Sequence, residues 1–279
     1  YFMNCKYDTL LLLIAMFTLS ASQTSAQSLR QILERPINII ESKWEINTQE
    51  AEELNYYNGD YCDYYLFRKN DRSYNLRPGK NTVFSILKNS HVDNPFKNPS
   101  TYIFYRGQFP EKFQINTPYA LPVKNGGKTS WKIDLRESRK TLNFQLKSGD
   151  TVYATRSGIA CQTTRPLQLL IYHSDRTFAA YLMMNQNFIH PGEEVLVGQP
   201  VGLAGEMGVS ISYFFLDKNK FNANLPSGYP YSHFTPVFRT TEGDIKTKEK
   251  KEYYSVIDDA LIMQDMSKRE QKKYLKKKK

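Results

Sequence analysis

A chain of 279 residues is long enough for two domains, and 40% hydrophobic with 24% charged residues is the balance of a globular protein with a core. The formal charge of +10 is uneven: residues 268–279 hold eight Lys or Arg against one Glu, so +7 comes from the last twelve residues and the body is nearly neutral. Such a tail is attractive to anionic polymers or lipid, or is simply a solvated helix end; no nucleic-acid partner is expected. The 20 Tyr and 16 Phe suit a β-rich architecture, because aromatic side chains pack well on a pleated surface.

In chain order, Met3 is the expected start, followed by Lys6, an apolar run Leu10–Leu19 and the small residues Thr24-Ser25-Ala26. This is the pattern of a secretory signal peptide over residues 1–26, too short to span a membrane, and it implies export to the periplasm or cell envelope. Residues 28–43 start as a short helix that Pro36 interrupts. Residues 27–118 then carry short strands, clearest at Tyr64–Phe67, Thr82–Leu87 and Thr101–Tyr105, separated by turn-like Asn58-Gly59-Asp60 and Arg77-Pro78-Gly79. That spacing predicts a β-sandwich-like domain. His91 falls in a turn-rich segment. Residues 248–279 predict two short helices; the second, basic one has Ser267 and Glu270 at capping-box spacing.

Between these lies a run of strand and turn blocks, residues 149–217, within a segment 119–247. Gly149-Asp150-Thr151-Val152-Tyr153-Ala154 with Gly158, and Val195 with Gly198-Gln199-Pro200-Val201-Gly202 and Gly205, stand at its two ends. This frame resembles the lysostaphin/LytM-type (duplicated hybrid motif) zinc endopeptidases that cut cell-wall peptides. Tyr119-Ala120-Leu121-Pro122 resembles the entry to that domain in members with an N-terminal β domain. The resemblance implies an all-β fold with minor helix, a LytM-like antiparallel β domain following the N-terminal one.

The same resemblance places the zinc ligands and water-activating histidines at positions where this chain has other residues. Arg139 and Asn143 stand at the His and Asp of the first motif, Tyr181 at the His of the "Y-x-H-L" block, and Ser210 and Ser212 at the two histidines of "H-L-H". Independently of register, the chain has four histidines, His91, His173, His190 and His233, with none between 91 and 173 and no His-x-His. Zinc takes nitrogen, sulfur or carboxylate ligands in a tetrahedral set, so no metal and no cofactor are expected. His173, His190 and His233 read as structural or surface residues. A Cys161–His173 pair is the one alternative nucleophile scheme, and no G-x-S-x-G elbow, phosphate loop or zinc-type cysteine pair is present. Cys62 and Cys161 form either one disulfide or two buried thiols.

The resulting expectation is an exported, catalytically inactive LytM-type homologue. Its degenerate cleft, lined by Arg139, Asn143, Tyr181, Ser210 and Ser212, would hold a peptidoglycan peptide or a cell-wall hydrolase. An active envelope hydrolase with a non-standard site, and a structural envelope protein, are the alternatives.

Overall fold

The computed structural model describes residues 28–33, 35–68, 72–88, 93–97, 102–111, 113–224 and 228–278. The expected signal segment and His91 lie outside the described residues. The fold is all-β with minor helix, as expected: among the described residues are 22 strands and three short α-helices, Ser28–Leu33, Asp259–Met263 and Lys268–Lys277, with one 3₁₀ turn. Among the described residues every strand pair is antiparallel except Val237–Thr240 against Pro118–Tyr119.

An eight-stranded sheet organises the molecule. Its path runs Glu194–Val195, Gly158–Ala160, Leu169–Tyr172, Thr177–Leu182, Val209–Leu216, Leu142–Phe144, Trp131–Ile133, with Tyr231–Phe234 also paired to Val209–Leu216. All six residues of Thr177–Leu182 are buried, and so are seven of the eight in Val209–Leu216. A strand covered on both faces reads as a nearly continuous apolar run. Alternate residues then serve two cores, because side chains point to opposite faces with period two. Leu169, Ile171, Ala179, Tyr181, Ile211 and Tyr213 enter one core. Leu170, Phe178, Ala180, Leu182, Phe214 and Leu216 enter the other, which they share with the N-terminal strands and with Leu29 and Ile32.

The N-terminal strands form two three-stranded sheets: Ile40–Ile46, Ala51–Asn58 and Gly79–Leu87, then Tyr74–Leu76, Tyr64–Arg68 and Tyr102–Arg106. The helix starting at Ser28 ends at Leu33, ahead of Pro36, and Ile40–Ile46 is a strand rather than its continuation. The glycines of the 195–205 block have steric causes. Gly198 sits at φ 78° in the turn Leu196–Gln199, and a Cβ on Gly202 would lie 2.2 Å from the Gln186 carbonyl oxygen of the neighbouring strand.

At the C-terminus Tyr253–Tyr254 pairs with Lys128–Thr129, and Leu261 is buried. Lys268–Lys277 starts at the expected capping box, Ser267 with Glu270. Among the described residues no helix is long and apolar enough to cross a membrane.

Candidate functional site

Register decides which of the anticipated site residues meet. Val209–Leu216 pairs with Leu142–Phe144 so that Ser210 faces Asn143, and with Thr177–Leu182 so that Ser212 faces Ala180 and Ser210 faces Leu182. Tyr181 instead pairs with Ile211 and belongs to the opposite face. There its hydroxyl accepts the Thr155 N–H at 2.8 Å. The structure therefore separates Tyr181 from the other four. The expectation of one cleft lined by all five residues is corrected by this one-residue alternation.

Asn143, Ser210 and Ser212 do come together, in a buried polar seam. Asn143 Nδ2 donates to Ser210 Oγ at 3.1 Å and to the Met207 carbonyl at 2.9 Å, and Ser210 Oγ donates to Asp134 Oδ2 at 2.5 Å. Asp134 in turn receives both Nε and Nη2 of Arg136, at 2.7 and 2.8 Å. Burial opposes the Asp134 charge, but Arg136 and the Ser210 hydroxyl outweigh it and hold the carboxyl below its ordinary range.

Ser212 Oγ donates to the Lys140 carbonyl at 2.9 Å and lies 2.9 Å from His233 Nδ1, while the Tyr229 hydroxyl is 2.8 Å from His233 Nε2. The tautomer that satisfies these partners carries the proton on Nδ1 and accepts from Tyr229 at Nε2. Burial, with Arg139 and Lys220 nearby, lowers His233 to about 4, so the ring is neutral at pH 7. Arg139 is exposed and places its guanidinium 3.9 Å from the Tyr229 ring centroid. His233 lies in strand Tyr231–Phe234, opposite Phe214. The signal available in sequence was Asp217 and Pro230 bracketing a hairpin, their backbones joined at 2.8 Å.

The seam is closed by the N-terminus. Helix Ser28–Leu33 packs against Thr177–Leu182, and Leu29 and Ile32 are 1% and 0% exposed. Glu137, from the loop that carries Asp134 and Arg139, accepts the Leu29 N–H, yet its Oε2 is buried without a partner. Burial first, and the Asp134 charge second, push Glu137 up to about 7 from 4.5. The folded state thus holds a proton that the unfolded chain loses, so this group's contribution to stability falls as pH rises from about 4.5 to about 7. Glu137→Gln is expected to stabilise the protein by about 1 kcal/mol at pH 8, after discounting for partial exposure, and to leave it nearly unchanged at about pH 4. Urea midpoints at the two pH values measure this.

These donors do not fit the zinc that the resemblance implies. At the three ligand positions stand the Asn143 amide and the Ser212 hydroxyl, neutral and already committed, and the Arg139 cation, and a further serine, Ser210, replaces a water-activating histidine. Among the described residues the group of three metal-type side chains that does converge is Asp60, Cys62 and Cys161, with ligand atoms within 4.8 Å of one another. Cys161 thus meets Cys62 and Asp60, and its Sγ donates weakly to the Ile159 carbonyl at 3.8 Å. His173 is 1% exposed, its Nδ1 lies 2.8 Å from the Ser157 carbonyl oxygen and its Nε2 has no partner. Burial and the neighbouring Arg156 lower it to about 4. His190 is exposed in the turn His190–Glu193.

The open space lies elsewhere. A cavity of about 650 Å³ lies between helix Lys268–Lys277 and the Glu194–Val195 edge of the large sheet with its neighbour Gly158–Ala160, lined among others by Ile159, His173, Glu194, Asp265, Lys273 and Tyr274. Sequence reasoning did not anticipate it, because the helix reaches the sheet through Asp265, which Arg156 and Ser174 hold at 2.8 Å.

No family model matches the chain, and no curated protein matches it. Two solved structures show a distant likeness. One is pseudoalterin, a deep-sea M23 metalloprotease: 15% identity over 34% of this chain and 68% of that one, with a TM-score of 0.30. The other is Csd3 of Helicobacter pylori: 13% identity over 93% of this chain and 64% of that one, with a TM-score of 0.24.

Proposed function

We propose that this chain is an exported, non-catalytic homologue of the LytM-type peptidases, acting in the cell envelope by binding a wall peptide or a wall hydrolase. One observation carries the reading. Among the positions that the resemblance gives to zinc ligands and water-activating histidines, Asn143 and Ser210 bond to each other and Ser210 to Asp134, while Ser212 bonds to Lys140 and His233, all beneath the N-terminal helix. A hydrolytic centre needs an open ligand position for water, and this seam offers neither the donors nor the opening. On this reading the chain divides near residue 118, with 119–247 as the peptidase-like part.

The binding role then falls to the cavity beside helix Lys268–Lys277. Its wall combines apolar Ile159 with Glu194, Lys273 and Tyr274, a mixture suited to a short peptide bearing both charges. The test is metal content and wall digestion, with and without added zinc, followed by sedimentation with isolated peptidoglycan. The expected result is no cleavage, and binding that falls at least tenfold when residues 268–279 are removed. Stoichiometric zinc with released peptides would overturn the proposal in favour of an active hydrolase; unchanged binding after truncation would overturn the placement of the site.

A further inference from the structure

The two mature-region cysteines, 99 positions apart in sequence, are brought together in the core that joins the N-terminal strands to the large sheet. Cys62 follows strand Ala51–Asn58, and Cys161 follows Gly158–Ala160. Their Sγ atoms lie within 4.8 Å of each other and of an Asp60 carboxylate oxygen, and they are 0% and 2% exposed. Both are free thiols here. The approach is built by Asp60. Its Oδ1 accepts the N–H of Tyr61 and the N–H of Gln162, each at 2.8 Å, so one oxygen pins the residue next to each cysteine.

We propose that Cys62 and Cys161 are a disulfide-forming pair that covalently staples the N-terminal strands to the edge of the large sheet; this rests on the export proposed above. In the step, the two thiols lose two protons and two electrons to an external disulfide, such as oxidised glutathione or the disulfide of a thiol oxidase. One S–S bond forms in the chain while one breaks in the acceptor, which leaves as two thiols. The sulfurs must close to about 2.05 Å.

Oxidation leaves the surroundings satisfied. In the reduced form Cys62 Sγ donates weakly to Asp60 Oδ2 at 3.6 Å and Cys161 Sγ to the Ile159 carbonyl at 3.8 Å. Once both S–H groups are gone, Asp60 still holds Tyr61, Gln162, the Tyr64 hydroxyl at 2.9 Å and Arg106 at 3.1 Å. Those same contacts argue against a metal. Both carboxylate oxygens are occupied, a guanidinium already neutralises the charge, and three ligands fall one short of a structural zinc set. In the folded chain burial, Cys161 and Asp60 push the Cys62 thiol upward, so the pair is inert once folded and closes during folding.

The test starts from the reduced, purified full chain, unfolded and refolded in glutathione buffers of graded potential, then alkylated in denaturant and mapped by mass spectrometry. The expected result is one linked peptide pair containing Cys62 and Cys161, 2 Da lighter than its reduced form. A loop of about 100 residues is closed, so oxidation should raise the folding constant by up to about a thousandfold. The urea midpoint should fall on reduction in the native chain but not in the Cys62→Ser, Cys161→Ser double variant. Full alkylation of both cysteines after oxidative refolding overturns the inference, as does stoichiometric zinc held with both thiols alkylatable, or a midpoint indifferent to reductant. Refolding in vitro reads the pair independently of export. The state of the cysteines in protein taken directly from cells tests the export reading separately: linked supports it, and free thiols beside a pair that closes in vitro overturn it.

Discussion

Asp60→Asn is expected to destabilise the fold by about 3–5 kcal/mol, the cost of leaving one member of a buried ion pair uncompensated. The side chains of Asp60 and Arg106 are both 0% exposed, with Arg106 Nη2 3.1 Å from Asp60 Oδ2. That nitrogen makes no aligned hydrogen bond, so its attachment to Asp60 is coulombic. Arg106 otherwise donates Nε to the Tyr64 hydroxyl at 3.0 Å and Nη1 to the Ile32 carbonyl at 2.8 Å. The pair thereby ties strand Tyr102–Arg106 to the N-terminal helix. Neutralising Asp60 strands a guanidinium with no water to take its place. The Asp60→Asn, Arg106→Met double variant should lose much less than the sum of the single changes. Urea unfolding under reducing conditions measures all three chains; additive losses would show that the two charges are not coupled.

The second large effect is expected at Arg156, which is 3% exposed. Its Nε and Nη2 fork onto Asp265 at 3.0 and 2.8 Å, and Nη1 reaches Asp175 at 2.7 Å and the Tyr119 hydroxyl at 3.1 Å. Burial alone would raise both carboxyls, but Arg156 outweighs it and holds each below its ordinary value. Groups held low contribute stability that is present above the unfolded pKa, near 3.8, and lost as pH falls through the folded value. Arg156→Met should therefore cost about 3–5 kcal/mol at pH 7, and the gap to the native chain should narrow below pH 4 as both carboxyls take up protons. Because Asp265 precedes helix Lys268–Lys277, the variant should also be clipped in that helix by trypsin at native conditions. Equal protease resistance in the two chains would mean that the helix is held by its other contacts, such as Tyr274 to Asp259 at 2.9 Å.

Much of the β architecture was legible because the cues are local. Tyr64–Arg68, Gly79–Leu87 and Tyr102–Arg106 are alternating or aromatic runs between turn residues, and the glycine frame marks tight turns and close strand approaches. The face of Tyr181 was not legible. In Ala179-Ala180-Tyr181-Leu182 every residue is buried, so hydrophobicity carries no period-two signal to fix which side chain meets Ser210 and Ser212. Asp134 and His233 enter the seam through a loop and a hairpin that no single window of sequence connects. The meeting of Cys62 with Cys161 depends on Asp60 bonding to Gln162, 102 residues away, and so was open to two readings.

Helix Ser28–Leu33 has one further consequence. It is among the first described segments to be synthesised, yet the strand it packs on begins at Thr177, and the hydrophobic cluster that holds Leu29 and Ile32 extends to Tyr231. Contacts of such long sequence separation form late and slow folding. Until about three-quarters of the chain is made, Leu29 and Ile32 lack the sheet face formed by Thr177–Leu182 and Val209–Leu216. A C-terminal truncation before residue 216 should therefore be recovered as aggregate rather than as a smaller folded protein.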